Sequence, residues 1–151
     1  MRMPPLIFIL SGPNLNMLGK REPEIYGTTT LKQIERQCGD RAFELEVMID
    51  FRQSNHEGEL VEWIQEAYTR GAKGMIINGG AYTHTSLAIH DALKMLPCPI
   101  IELHLSDPKK REEFRHHSYI ELVATAVIAG HGAPGYTMAL EKMAELIKAG
   151  N

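Results

Sequence analysis

Short apolar runs, each long enough for one β-strand and separated by stretches with helical spacing, constrain the fold more than any other feature of this chain. They are Leu6 to Leu10, Glu46 to Phe51, Gly74 to Asn78, Pro99 to His104 and Thr125 to Ala129. Runs this short, bounded by turn residues, suit buried strands. Helix starts lie between them: Thr30 with Gln33, and Ser54 with Glu57, have the spacing of a capping box, and Asp107 followed by Pro108 has the form of an N-cap with proline at the first helical position. Strand and helix therefore alternate. Parallel neighbours need long connections, and right-handed crossovers place helices on both faces, so the pattern predicts an α/β doubly wound five-stranded parallel sheet. The expected strand order is 2-1-3-4-5, in one domain over residues 1–151, a length that can bury its own core at 44% hydrophobic composition.

Several function classes find no footprint. The net charge of −3 is spread over both signs without a basic stripe, so neither nucleic acid nor a membrane surface is an expected partner. The apolar run near the N-terminus is too short for a signal-peptide core or a membrane span, and a cytoplasmic location is expected. Cys38 and Cys98 have no second Cys or His at ligand spacing and read as small core residues. His84, His90, His104, His116, His117 and Glu102 could in principle hold a metal, but H-E-x-x-H is missing and no metal or other cofactor is expected. The loop after the first strand has neither the dinucleotide fingerprint nor a Gly-Lys-Ser/Thr, and no serine occupies a G-x-S-x-G elbow.

In a doubly wound sheet, ligands bind beyond the carboxyl ends of the strands where strand order reverses, here between strands one and three. The residues there are Ser11 to Asn16, Asn78 to Ser86, and His104 to Asp107. Each loop alone would pass for an ordinary turn. Together they bring polar side chains to one rim. Gly19 to Gly27 is long and charged, carries Arg21 and Tyr26 between two glycines, and suits either a lid or a solvated surface loop. Period-two alternation puts Glu102, His104 and Ser106 on one face of the fourth strand. A carboxylate there can orient the imidazole as a general acid; the same pair equally suits a buried histidine satisfied by its neighbour.

Six motifs, in order, resemble the type II 3-dehydroquinate dehydratases: Gly12-Pro13-Asn14-Leu15-Asn16, Arg21-Glu22-Pro23 with Tyr26-Gly27, Arg52-Gln53-Ser54-Asn55, Tyr82-Thr83-His84-Thr85-Ser86, Glu102-Leu103-His104-Leu105-Ser106, and Arg111-Glu112-Glu113-Phe114-Arg115. The similarity runs from about Leu6 to Leu146. It implies a flavodoxin-like fold and a hydro-lyase that dehydrates 3-dehydroquinate to 3-dehydroshikimate by anti-elimination through an enolate, a step of the shikimate pathway toward chorismate and the aromatic amino acids. It also implies a homo-oligomer, a dodecamer built as a tetramer of trimers.

By the same resemblance Tyr26 is the base. A tyrosine hydroxyl ordinarily ionises near pH ~10, so a base of this kind needs cations beside it, and Arg21 and Arg115 are the expected ones. Asn14 holds a water against the enolate oxygen, His104 protonates the departing hydroxyl, and Glu102 orients His104. The substrate carboxylate meets Asn78 and the backbone N–H groups of Leu105 and Ser106, beside a helix capped by Asp107. His84 and Arg115 bind ring hydroxyls, and Asp91 approaches from a neighbouring subunit. Asp107 departs from the family, which usually has Asn there, as do the glycines of Asn78-Gly79-Gly80-Ala81 and the proline of Gly132-Ala133-Pro134-Gly135. Two rival readings are a different lyase or isomerase acting on a hydroxylated cyclic carboxylate, and a binding or signalling module; a receiver domain's acidic pocket is not found.

Overall fold

The computed structural model describes residues 2–20 and 22–150. Its five strands are β1 (Leu6–Ser11), β2 (Met48–Gln53), β3 (Gly74–Asn78), β4 (Ile100–His104) and β5 (Ala126–Ala129). They form one sheet in the order β2-β1-β3-β4-β5, every pairing parallel. Its helices are α1 (Pro23–Tyr26), α2 (Leu31–Leu45), α3 (Glu57–Thr69), α4 (Leu87–Lys94) and α5 (Gly135–Ala149).

The central strands sort their side chains between two cores. Ile7, Ile9, Ile76, Ile101 and Leu103 face one way, toward Ile34, Cys38 and Ala42 of α2 and Tyr136, Ala139, Leu140 and Met143 of α5. Phe8, Leu10, Met75, Ile77 and Ile100 face the other way, toward Leu60 and Ile64 of α3 and Ile89 and Leu93 of α4. Helical spacing of three and four residues makes each helix one-sided, and period two in β1 feeds both cores from six residues. Cys38 is wholly buried, and burial pushes its thiol up to about 12.

Local signals fared unequally. Thr30 caps α2 with both hydrogen bonds of a capping box to Gln33. Ser54 does not cap α3: His56 is the N-cap, and Ser54 Oγ accepts from the His56 amide while donating to Glu59. β2 begins at Met48 rather than Glu46 because α2 runs to Leu45 and Glu46 closes it in the left-handed region at φ 59°.

The largest departure is between β4 and β5. Asp107 does cap a turn that starts with Pro108, its side chain accepting from the Lys109 amide, but that turn ends at Lys110. Two more 3-10 turns, Glu113–Arg115 and Glu121–Val123, replace the expected crossover helix. From 107 to 116 the sole large apolar residue is Phe114, and it is exposed, so a helix here would have no stripe to bury.

Candidate active site

The loops after β1 and β3 are pressed together at the rim. The Gly12 amide donates to the Asn78 carbonyl at 2.8 Å, and a Cβ on Gly12 would stand 2.5 Å from the Gly79 carbonyl oxygen, so only glycine permits this approach. Asn14 follows at φ 71°, a left-handed conformation that asparagine tolerates. Its amide donates to Asn55 Oδ1 at 3.0 Å, and Gln53 Nε2 donates to the Gly12 carbonyl and to Asn55 Oδ1, both at 3.1 Å. The end of β2 therefore braces the Asn14 loop, a role not read from its motif.

Asn14, Tyr26, Asn78, His84, His104, Leu105, Ser106, Arg111 and Arg115 line one cleft at this rim. Glu102 sits one pleat behind His104, buried, and accepts from His104 Nε2 at 2.6 Å and from Ser118 Oγ at 2.7 Å, both on Oε2. Oε1 is buried with no hydrogen-bond partner among the described residues, so the carboxylate is satisfied through one oxygen. That arrangement fixes the ring of His104 and leaves Nδ1 for the cleft.

His84 stacks on His104 with centroids 6.4 Å apart and planes 13° from parallel. Its Nδ1 is 2.8 Å from the His117 carbonyl, which makes Nδ1–H the donor. Burial pushes the His84 imidazole below its usual range, outweighing the opposite effect of that carbonyl. A neutral ring leaves Nε2 as an acceptor for a hydroxyl.

Among the described residues, a cation that the sequence did not point to stands on Tyr26. Arg111 Nη1 donates to Tyr26 Oη at 2.8 Å and to Ser106 Oγ at 3.3 Å, with its guanidinium carbon 5.5 Å from the tyrosine ring centroid. Arg115, expected beside Tyr26, turns its Nε to Glu112 at 3.1 Å while still lining the cleft. Arg21, the other expected cation, lies outside the described residues. Arg111 and Arg115 are four apart in one motif, and only the path of the irregular crossover decides which reaches the phenol.

The remaining sites are placed as follows. Leu105 and Ser106 follow β4 directly, and their carbonyls accept from the amides of Gly132 and Gly130 respectively. Gly130-His131-Gly132-Ala133-Pro134-Gly135 has glycines at dinucleotide-fingerprint spacing, but these two amides are committed to clasping β4, so the loop offers no phosphate cradle there. No helix follows Ser106 to supply an N-terminal field. Asp91 is on α4, exposed, held by His90 Nδ1 at 3.0 Å, and does not line the cleft. Among the described residues no group of three or more His, Cys, Asp or Glu could hold a metal ion.

The pattern of the family described as Dehydroquinase class II matches residues 5–144. The chain belongs to this family. It is 57% identical over 148 residues to the 3-dehydroquinate dehydratase of Bartonella bacilliformis, covering 98% of this chain and 93% of that one. Against the 3-dehydroquinate dehydratase of Brucella canis it is 54% identical over 142 residues, covering 94% and 90%. The crystal structure of type II dehydroquinase from Butyrivibrio crossotus superposes with a TM-score of 0.90 at 42% identity, covering 93% of this chain and 97% of that one. The fold is thus the flavodoxin-like one of the family, and no helix among the described residues is long and apolar enough to cross a membrane.

Proposed function

We infer that this chain is a hydro-lyase that converts 3-dehydroquinate to 3-dehydroshikimate, in the shikimate pathway, and that the rim cleft carries out the elimination. The observation that supports the cleft is the meeting of a tyrosine hydroxyl with an arginine, Tyr26 with Arg111, in the same pocket as a histidine held by a buried carboxylate. One pair suits proton removal and the other proton delivery.

In this reading Tyr26, as phenolate, takes a proton from the ring carbon beside the ketone. The electron pair moves onto the ketone oxygen as an enolate, which a water held by Asn14 meets as charge develops. The enolate then collapses and expels the hydroxyl from the carbon that bears the carboxylate, with a proton supplied by His104. The products are one water and one conjugated enone. Arg111 and Arg21 offset the charge on Tyr26. Glu102, bonded to Ser118, keeps the His104 ring in place.

Asn78 and the backbone amides of Leu105 and Ser106 take the substrate carboxylate, and His84 Nε2 and Arg115 take ring hydroxyls. We propose further that Asp91 serves a neighbouring subunit, since it is exposed and outside its own cleft. That reading needs a homo-oligomer, and we propose the dodecamer built from trimers that the family resemblance implies, which light scattering of the purified protein measures.

The function is tested by mixing protein with 3-dehydroquinate and following the ultraviolet absorbance of the enone, with and without borohydride. Enone formation that survives borohydride is expected, because no lysine imine takes part. A well-folded sample that yields no enone sinks the assignment.

A further inference from the structure

At the floor of the cleft a polar chain runs inward from Asn78. Asn78 Nδ2 donates to Tyr136 Oη at 3.3 Å, and Tyr136 Oη lies 2.8 Å from Ser11 Oγ. Ser11 and Asn78 are register partners at the ends of β1 and β3, and Tyr136, in the first turn of α5, reaches across the sheet to both. All three are buried, Tyr136 and Ser11 completely.

Two hydroxyls and one amide share this chain: Tyr136 Oη accepts from Asn78 Nδ2, and between Oη and Ser11 Oγ either hydroxyl can donate. Burial pushes the Tyr136 hydroxyl up to about 12, so it keeps its proton at neutral pH, and this hydroxyl takes no part in the proton transfers described above. At its other end, Asn78 Oδ1 accepts from the Gly80 amide at 3.3 Å. With its oxygen and one N–H engaged, the amide has a second N–H left for the cleft it lines.

We propose that Tyr136 is a positioning residue that sets the cleft's preference for a carboxylate, by holding the Asn78 amide so that its remaining N–H faces the substrate. This rests on the reading of Asn78 as the carboxylate's partner. The two ends of a side-chain amide are nearly the same size, and its hydrogen bonds alone distinguish them. With phenylalanine at 136, the N–H that met Oη has no acceptor, and the amide turns to regain one. An oxygen brought toward the cleft repels a carboxylate and accepts from a carboxamide.

The experiment compares wild type, Tyr136→Phe and Asn78→Ala in steady-state kinetics and in competitive inhibition by shikimate and by its primary carboxamide. Tyr136→Phe is expected to raise KM about tenfold and change kcat less than about threefold, the signature of lost ground-state binding. The ratio of the two inhibition constants, expected to favour the carboxylate in wild type, is expected to fall about tenfold as the amide loses its orientation. An unchanged ratio in a folded Tyr136→Phe, whatever kcat does, overturns the proposal and leaves Tyr136 a packing residue. If Asn78→Ala changes KM and the ratio while Tyr136→Phe does not, only this inference falls; if neither variant changes them, the carboxylate reading of Asn78 falls with it. Should Tyr136→Phe fail to fold, Ser11→Ala removes the hydroxyl that holds Tyr136 Oη in place and is expected to shift the ratio the same way by about threefold, and no shift there overturns the proposal.

Discussion

Arg52 and Arg111 are both partly buried arginines, yet the molecule uses them in opposite ways. Arg52, on the edge strand β2, forks onto Asp50 through Nε and Nη2 and onto Glu66 through Nη1 and Nη2, at 2.6 to 2.9 Å. Its guanidinium lies over Phe8 and Trp63, and Arg70 joins the same two carboxylates. Two cations meet two anions, and the charge is spent within the fold. Arg111, on the irregular crossover, directs Nη1 to a phenol and a hydroxyl, while Glu112 stands 3.7 Å from its Nε. A guanidinium whose best donor faces a hydroxyl oxygen stabilises an anion there when one forms. Arg52 is compensated within the fold, whereas Arg111 is aimed at the hydroxyl that the proposed mechanism uses as its base.

The comparison breaks most sharply at the phenol. Tyr26→Phe keeps the ring beside Arg111 and removes the oxygen, and kcat is expected to fall about a thousandfold, as for loss of a general base. The enone assay reads the rate and circular dichroism confirms the fold. A loss under tenfold would place the base elsewhere. Next comes Arg111→Gln, for which kcat is expected to fall about a hundredfold, the size of losing one preorganised charge partner, with the thermal midpoint nearly unmoved.

Arg52→Leu is the mirror experiment. Partly exposed ion pairs are screened, so the expected loss is about 1 to 2 kcal/mol of unfolding free energy in a urea titration, with kcat unchanged at temperatures where the variant is folded. A drop in kcat with intact stability would erase the distinction drawn above. The smallest effect concerns acid. The Arg52 hydrogen bond, aided by Arg70, holds Asp50 below the ordinary carboxylate range. A group depressed in the folded state contributes stability above its unfolded value of about 4, and that contribution is lost as pH falls through the folded value. Wild type should therefore lose stability more steeply than Arg52→Leu in urea titrations below about pH 4; parallel curves would show that the pair adds nothing.

How legible this was in the sequence depends on where each group is decided. β1 and β3 follow from apolar runs whose period is local, and the strand order from the crossover rules of a doubly wound sheet. Thr30 caps its helix through both bonds of the box, whereas Ser54 has a competitor five residues on in Glu59 and follows a strand that extends two residues further than its apolar run. Asp107-Pro108 opened a turn but could not make a helix without an apolar stripe behind it. The cleft's loops were visible as strand ends. Arg111, Ser118 and Tyr136 were not, because each acquires its role from a partner far along the chain: Tyr26 is 85 residues from Arg111, and Ser11 is 125 from Tyr136.

Cys38, on the buried face of α2, gives the molecule a clock. A thiol with no exposure and a raised ionisation range cannot meet a reagent until the core parts around it, so each labelled Cys38 records one opening of the structure. With Cys98, which is half-buried, replaced by serine to silence the background, the labelling rate reports how often the whole fold comes undone. Any ligand that occupies the cleft slows that clock in proportion to its affinity, so binding at the rim can be timed from a sulfur atom in the core, with no colour change in the ligand and no turnover.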